Sequence, residues 1–328
     1  MYFSLDSDRQ KQMYRLYALD KTNAAAAFSQ IENGMLLDLA HDAMKNGSVM
    51  RAVYEQPALA RQDGLWMLNN KRWGRIGGVN GHGYNLTIGK DFLSDEHGYY
   101  GLLFDYGSNT VSGAAGSGEY DSYSLGLYAG NKNKPGSITG FVSYGLQANK
   151  GTAYLPVLGQ TAESDYDSKT LGIGVEYAYD LDYGKPEELW HVSPYARLNC
   201  NHYRQKAFRE HGAGVFDRSF GSYSDNYAEG ELGLSFDRSE GTGGYGLRLG
   251  YKRILTGERQ LMEVCFAEDE CGSLLPVRSW GEGRNHFVAA AYVRHDFSRK
   301  WSAGGSLSGD WSNGGREIGA RLDLAYHF

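Results

Sequence analysis

The last ten residues of this 328-residue chain alternate between apolar and polar side chains and end on a phenylalanine. In an extended chain Phe328, Tyr326, Leu324 and Leu322 share one face, and most residues between them are polar or charged. A period of two residues indicates a β-strand. Such a strand either packs its apolar face on a soluble core or exposes that face to lipid in an outer-membrane barrel. The remaining sequence has to distinguish these two environments.

The same alternation recurs from residue 65 onward, in segments separated by clusters of Gly, Asn, Asp or Ser. The twelve segments lie at residues 66–79, 84–92, 100–106, 123–127, 138–146, 171–179, 192–198, 232–236, 245–251, 287–293, 301–311 and 318–328. Connections after the even-numbered segments are short, whereas those after the fifth, seventh and ninth are long and span about 149–168, 205–222 and 256–284. This pattern is typical of outer-membrane barrels. It predicts an all-β fold, a 12-stranded antiparallel transmembrane β-barrel.

Composition and polarity favour the barrel over a soluble β-sandwich. The chain contains 45 Gly and 25 Tyr but only 6 Pro, its net charge is -6, and its mean hydropathy is -0.51. No run approaches the roughly 18 to 20 apolar residues of a membrane-spanning helix, but a barrel has its lipid-facing side chains at every second position. The opposite faces carry polar residues that a dry core could not bury without partners. We therefore predict an integral bacterial outer-membrane protein that binds no nucleic acid.

Strand number and loop length together predict the orientation of the barrel. An even number of strands brings both ends of the sheet to the same side, and outer-membrane barrels have their short turns in the periplasm. We therefore expect the carboxyl terminus at Phe328 to be periplasmic and the long loops to be extracellular. The inner faces should carry the lumen charges, which are Arg197, Glu229, Glu231, Arg248, Lys252, Arg321 and Asp323.

Residues 1–56 follow a helical pattern and are predicted to form a linker and pore plug, ahead of a barrel domain at 57–328. A helix from Ala24 to about Asn46 would align Phe28, Ile31, Met35, Leu39 and Ala43 on one side. A helix with its side chains is about 10–12 Å wide, and a twelve-stranded lumen is about the smallest that could hold one. We predict that this helix lies inside the pore; the alternative is a linker outside the sheet.

These features together resemble the carboxyl-terminal translocator domain of bacterial autotransporters, the type V secretion proteins. The matching local features are Gly64-Leu65-Trp66, Gly89-Lys90-Asp91 and the terminal Ala325-Tyr326-His327-Phe328. The resemblance implies an outer-membrane domain that anchors an amino-terminal passenger and allows its export to the cell surface. Residues 1–20 do not resemble a secretory signal because charged residues interrupt them. We therefore expect this chain to be the carboxyl-terminal part of a longer precursor, with its passenger absent.

The resemblance also implies partners. The barrel-assembly machinery would recognise an assembly signal at Phe328, Tyr326, Leu324 and Leu322, with periplasmic chaperones acting beforehand. The chain's own passenger would be its cargo, and membrane lipid and lipopolysaccharide would surround a monomeric barrel. No cofactor is implied.

Two other functions remain open at this point. A general porin-like channel fits the lumen charges equally well, with residues 1–56 as a periplasmic extension. A barrel hydrolase would need an acid-base group, for which His202 and His211 near Asp217 and Asp225 are the candidates. The chain lacks the Gly-x-Ser-x-Gly and His-Glu-x-x-His motifs, so we predict that it is not an enzyme.

The three cysteines divide into a pair and a single residue. Cys265 and Cys271 are separated by five residues in a loop predicted to be extracellular, where an oxidised pair is plausible. Their spacing matches no recognised zinc motif. We therefore predict a disulfide between them, no metal site, and an unpaired Cys200.

Overall fold

The computed structural model describes residues 34–45, 47–55, 64–94, 98–131, 135–156, 158–185, 190–267 and 274–328. Its strands, in chain order, are β1 (Gly64–Ile76), β2 (Val79–Ser94), β3 (Gly98–Gly113), β4 (Gly116–Asn131), β5 (Gly136–Leu155), β6 (Gln160–Tyr179), β7 (His191–Gln205), β8 (Phe208–Arg209), β9 (Arg218–Phe220), β10 (Tyr223–Glu240), β11 (Gly243–Thr256), β12 (Leu261–Phe266), β13 (Leu274–Arg278), β14 (Asn285–Asp296), β15 (Trp301–Ser312) and β16 (Gly315–His327). Two helices precede them, α1 (Met35–Lys45) and α2 (Ser48–Tyr54).

Twelve of these strands close into an antiparallel barrel, in the order β1-β16-β15-β14-β11-β10-β7-β6-β5-β4-β3-β2. The terminal strand closes the sheet against the first, with Gly64 opposite His327 and Ile76 opposite Gly315. We call the end of the barrel at Gly64 and His327 the terminal rim, and the opposite end the loop rim. The predicted 12-stranded barrel is confirmed. Closure leaves the barrel without a free sheet edge, so every strand finds two partners within the protein.

The alternation in the sequence corresponds to the two faces of the barrel wall. Leu322 and Leu324 point outward and are 71% and 37% exposed, whereas Trp66 and Leu68 point inward and are buried. Outward-facing side chains are mostly apolar and would contact lipid, which is the arrangement of a transmembrane barrel. Among the described residues no helix has both the length and the apolar character needed to cross a bilayer.

Two segment boundaries differ from the prediction. The first strand ends at Ile76 and Val79 already begins β2, because Gly77 adopts a φ of 57° that permits a tight turn. The predicted long loop at 149–168 is wrong, since β5 continues to Leu155 and β6 begins at Gln160. Polar residues occupy both faces of this hairpin, with Asn149 buried inside and Lys150 exposed outside. The apolar alternation therefore fades although the strand continues.

The other two long connections are also structured. They contain β8, β9, β12 and β13, which form a separate four-stranded sheet at the loop rim, in the order β13-β12-β9-β8. The ring of Phe208 stacks between Tyr166 and Phe220, with centroid distances of 4.1 and 4.7 Å. Val264 and Val277 are buried in the same cluster as Leu36 and Leu37 of α1. The small sheet thus covers the pore at the loop rim.

Candidate functional site

The interior of the barrel is occupied by α1 and α2. A Cβ placed on Gly34 would lie 1.8 Å from the carbonyl oxygen of Arg278, so the chain enters the lumen in direct contact with β13 at the loop rim. At the other end, Tyr54 packs on Phe141 at 5.6 Å and belongs to the same cluster as Trp66. Trp66 lies near the start of β1, at the terminal rim. The polypeptide therefore passes along the pore from the loop rim to the terminal rim.

Apolar side chains of α1 fill the half of the lumen nearer the loop rim. Of the predicted plug residues, Met35, Leu39 and Ala43 are 1%, 0% and 4% exposed. Phe28 and Ile31 lie outside the described residues. The wall residues in contact are Val79, Val111, Tyr120, Tyr203, Tyr227 and Ile254. The described helix ends at Lys45, close to the predicted stop, and α2 follows it from Ser48 to Tyr54.

Glycines on the lumen side of the wall make room for the helix. A Cβ on Gly151 would lie 2.1 Å from Cδ2 of Leu36, and one on Gly118 would lie 3.0 Å from Cδ2 of Leu39. Glycine inside a strand commonly marks such a close approach. The carbonyl of Met44, near the end of α1, accepts a hydrogen bond of 2.8 Å from Nδ2 of Asn201. The wall therefore fits the helix in both shape and hydrogen bonding.

Charged residues of α1 pair with charges on the wall. Asp42 makes a two-pronged ion pair with Arg72 of β1, in which Nη1 lies 2.9 Å from Oδ1 and Nη2 contacts Oδ2. The hydroxyl of Tyr120 donates to Asp42 at 2.9 Å. Arg72 also reaches Glu317 of β16 at 3.3 Å. All four side chains are at most partly exposed, and each buried charge has a partner, as burial requires.

Residues 279–284, which we call the latch loop, bend from β13 onto α1. The backbone N–H of Trp280 donates to Oδ1 of Asp38 at 2.7 Å. Glu282 lies 2.8 Å from Nζ of Lys45 and 3.2 Å from Nε2 of His41. Burial acts against the charged form of Glu282, but the attraction of Lys45 and His41 outweighs it and holds the pKa of this carboxyl well below its usual range. The latch loop thus contacts α1 along its length, from Asp38 near its start to Lys45 at its end.

A second group of charges holds the end of the plug nearer the terminal rim, where α2 ends. Glu55, directly after α2, lies 3.3 Å from Arg197, which also contacts Glu176 at 2.8 Å and Glu231 at 3.6 Å. Arg248 contacts the same Glu176 at 2.6 Å and donates to the carbonyl of Tyr54 at 3.5 Å. Two cations and three carboxylates therefore surround the carboxyl end of α2.

All seven predicted lumen charges lie on the inner face of the wall. Arg197 and Arg248 contact the end of α2, as described above. The other ion pairs join wall residues to each other: Lys252 with Glu229 at 3.5 Å and with Asp310, and Arg321 with Asp323 at 3.7 Å. The pairs of Lys252 and Arg321 therefore connect residues of the wall to each other, and other residues contact the helix.

Four charged residues that contact the helices or the ion pairs holding them were not among the predicted lumen charges: Arg72, Asp105, Glu282 and Glu317. Asp105 accepts a hydrogen bond of 2.8 Å from the Ser48 hydroxyl. Asp105 could have been found, because it lies on the polar side of a predicted strand, and Glu317 directly precedes the last predicted strand. Arg72 lies in the segment whose boundary was misplaced, and Glu282 lies in a connection predicted to be an extracellular loop.

Little space is left around the helices. Two cavities of about 80 and 40 Å³ flank α2. The larger is lined by Glu55, Arg197 and Lys252 among others. A buried water needs roughly 10–15 Å³ of such volume, so these cavities would hold a few waters each. The described plug therefore obstructs the pore.

The histidine candidates do not form one acid-base group. Nδ1 of His202 lies 2.9 Å from Oδ1 of Asn226, whereas exposed His211 lies 3.7 Å from Glu163. Asp217 accepts a hydrogen bond of 2.8 Å from the backbone N–H of Ala213. No group of three or more potential metal ligands is found among the described residues. The four candidate residues are therefore not brought together in one site.

The structure assigns different states to two of the cysteines. Cys265 is disulfide-bonded, and Cys200 is free. Cys271, the predicted partner of Cys265, lies outside the described residues. The pairing of Cys265 with Cys271 stays a prediction.

Solved structures with a similar architecture include autotransporter domains. The chain is similar to the translocator domain of NalP from Neisseria meningitidis, with a TM-score of 0.74 and 17% identity over 90% of this chain and 98% of that one. The β-domain of Bordetella BrkA gives a TM-score of 0.62 and 16% identity over 81% of this chain and 100% of that one. The transport unit of AIDA-I from Escherichia coli gives a TM-score of 0.59 and 11% identity over 90% of this chain and 99% of that one. At these identities the likeness shows a shared fold.

No curated protein sequence matches this chain. A family model does match: the autotransporter β-domain model covers residues 65–308, which is most of the chain. The resemblance seen in the sequence is therefore confirmed. This chain, a twelve-stranded barrel of the bacterial outer membrane with a helix in its pore, belongs to the autotransporter β-domain family.

Proposed function

We propose that this protein anchors an amino-terminal passenger in the outer membrane and exports it to the cell surface through its own pore. The observation that carries the proposal is the direction of the chain. Gly34 contacts β13 at the loop rim, and Tyr54 lies near the terminal rim. A polypeptide joined upstream of Gly34 must therefore reach the pore from the loop rim.

The proposal includes an orientation, with the terminal rim in the periplasm and the loop rim outside the cell. The longest connections of the barrel support it, because outer-membrane barrels have their longer loops on the extracellular side. At the terminal rim, β10 and β11 are joined by the two residues 241–242. At the loop rim, β7 and β10 are joined by a segment that contains β8 and β9. Large connections of this kind fit the extracellular side.

Surface display of a reporter tests this function. A signal peptide and a protease-sensitive reporter would be fused ahead of Met1, and intact cells would be treated with an external protease. We expect the reporter to be cleaved while a periplasmic marker stays intact. A fusion to the same chain ending at Gly314, which lacks the closing strand β16, is the control and should leave no reporter outside. A reporter that is protected in intact cells and cleaved only after cell rupture would refute the proposal.

We infer that the protein is not an enzyme and that its other partners serve assembly. Phe328 is 64% exposed at the terminal rim and its ring lies 5.5 Å from that of Tyr326. An accessible aromatic end supports recognition by the barrel-assembly machinery after delivery by periplasmic chaperones. The closed wall has no free strand edge through which a second copy could pair, which supports a monomer surrounded by lipid and lipopolysaccharide.

A further inference from the structure

Two cations lie directly opposite each other on the outer wall of the barrel. Lys169 of β6 pairs in register with Arg204 of β7, and both side chains are exposed. Like charges in this position destabilise a sheet unless something neutralises them. Within the described residues, neither forms an ion pair with a carboxylate, and the same holds for nearby Lys206. The wall therefore presents an uncompensated positive charge at this point.

Lys169 and Arg204 mark the border of the lipid-facing surface on the side of the loop rim. Towards the terminal rim, the next outward residues of β6 are Leu171, Ile173 and Val175, which are 50%, 59% and 39% exposed. Towards the loop rim, the next outward residues are Asp167 and Asp165. A change from aliphatic to charged side chains along one strand indicates the level of the lipid headgroups. Lys169 and Arg204 are thus the first charges above the apolar belt on their strands.

A groove of about 530 Å³ opens beside this pair. We call it the cationic groove. One side is formed by Tyr123, Tyr144 and Leu146, and the other includes Asp167, Lys169, Arg204 and Lys206. The volume is within the range of about 300–1,000 Å³ that is usual for small-molecule sites. Three cations and one carboxylate lie beside apolar and aromatic side chains in this groove, and this combination suits an anionic headgroup that is attached to acyl chains.

We propose that the cationic groove binds the phosphorylated glucosamine headgroup of lipid A, the membrane anchor of lipopolysaccharide. Lys169 and Arg204 donate to the phosphate, with the guanidinium of Arg204 suited to two parallel bonds. Asp167 accepts hydrogen bonds from sugar hydroxyls, and the acyl chains lie along Leu171 and Ile173. The choice of lipid A over other anionic lipids rests on the orientation proposed above, which places the loop rim in the outer leaflet.

A second pair of opposed cations provides a comparison. Arg75 of β1 pairs in register with Arg316 of β16 at the loop rim. This pair lies next to the tight turn that follows Ile76, and Nε of Arg75 donates to the carbonyl of Gly77 at 3.3 Å. The backbone therefore partly satisfies this pair. These two arginines give a matched control, since their removal also deletes two outward cations.

The test measures binding of lipid A to the full chain in nanodiscs of phosphatidylcholine. Native mass spectrometry would count bound lipid A for the wild type, for Lys169→Gln/Arg204→Gln and for Arg75→Gln/Arg316→Gln. At roughly a fivefold contribution per cation near a membrane surface, the first variant should bind about 30-fold more weakly. The control variant should bind like the wild type. Heat-dependent migration in gels would show that each variant is folded.

Dephosphorylated lipid A and phosphatidylglycerol are the ligand controls. Dephosphorylated lipid A should bind the wild type as weakly as intact lipid A binds the groove variant. Unchanged binding by the variant, an equal loss in the Arg75/Arg316 control, or equal binding of phosphatidylglycerol would each overturn the proposal. Nanodiscs present lipid A to both rims, so this result does not depend on the orientation in the cell. It can therefore fail while surface display succeeds, and the reverse is equally possible.

Discussion

Arg72 illustrates how single residues hold the plug in this barrel. Its guanidinium meets Asp42 of α1, the Asn109 side chain at 2.8 Å and Glu317 at 3.3 Å, and Arg72 itself is 4% exposed. A buried charge loses its hydration, so its stability depends on these partners. Lys45 contributes in the same way through Glu282 and, at 3.8 Å, through Glu317. The ion pairs link the helix to strands at both sides of the barrel closure.

Replacing Arg72 by glutamine should therefore destabilise the folded protein strongly. Loss of one partner leaves Asp42 charged and buried, which costs about 3–5 kcal/mol. The free energy of unfolding would be measured by guanidinium titration in lipid vesicles. Arg75→Gln is the control on the same strand, since Arg75 is exposed and should change stability by no more than about 0.5 kcal/mol. Equal effects of the two substitutions would contradict the role assigned to the ion pair.

Sequence patterns located the wall charges but not their partners. Arg197 and Glu231 were placed in the lumen because they alternate with apolar residues along predicted strands. The pairing of Arg72 with Glu317 joins residues 245 positions apart, and nothing in a single sequence links two such positions. The face on which a residue lies is a local property, whereas its partner depends on closure of the barrel.

At the scale of elements, the terminal strand β16 combines two roles. It pairs with β1 on one side and β15 on the other, so the barrel closes only when it is in place. Its last residue, Phe328, lies beyond the paired region, which ends at His327. Phe328 therefore contributes little to the finished sheet, although Nζ of Lys90 lies 5.4 Å from its ring. The separation of these roles makes the assembly signal testable.

Removal of Phe328 should slow assembly more than it destabilises the finished barrel. We expect membrane insertion in a reconstituted barrel-assembly reaction to fall several-fold, while the unfolding midpoint of barrels that have folded stays close to that of the wild type. Phe297→Ser is the matched control, because Phe297 is 66% exposed in the β14–β15 connection at the same rim. Normal insertion rates without Phe328 would count against the assembly signal.

The strands were predictable wherever one face is apolar. Lipid imposes that pattern on each strand independently, so the β6 residues Leu171, Ile173 and Val175 identified their strand without reference to its neighbours. The same strand begins at Gln160 with polar residues on both faces, and there the prediction of a loop was wrong. Above the membrane no lipid selects apolar side chains, and hydrogen bonds to the neighbouring strands hold the hairpin instead.

For the whole molecule, the central property is a pore that its own chain fills. The helices contribute Leu39, Ala40, Met44 and Ala52 at 0% exposure. The small sheet covers the loop rim, and the latch loop holds α1 through Asp38 and Glu282. A barrel of this kind should conduct ions poorly, in contrast to a general porin.

Deletion of residues 1–55 should open the pore. We expect small single-channel currents for the full chain in planar bilayers, and currents at least several-fold larger for the deletion, because α1 and α2 no longer occupy the lumen. Deletion of residues 1–33 is the control and should conduct like the full chain, since it retains both helices. Large currents from the full chain would favour the porin alternative, and unchanged currents after deletion of 1–55 would contradict the plug.

The sequence by itself determined the number of barrel strands, the face that meets lipid and the presence of a helical segment before the barrel. These follow from periodicity, which each segment carries within about ten residues. The tertiary structure decided the rest: the sheet formed by β8, β9, β12 and β13, the latch loop on α1, and the partners of Arg72 and Glu282. Those features join residues that are distant in the chain. They exist only after closure brings the two ends of the sheet together around the helix, so no local pattern encodes them.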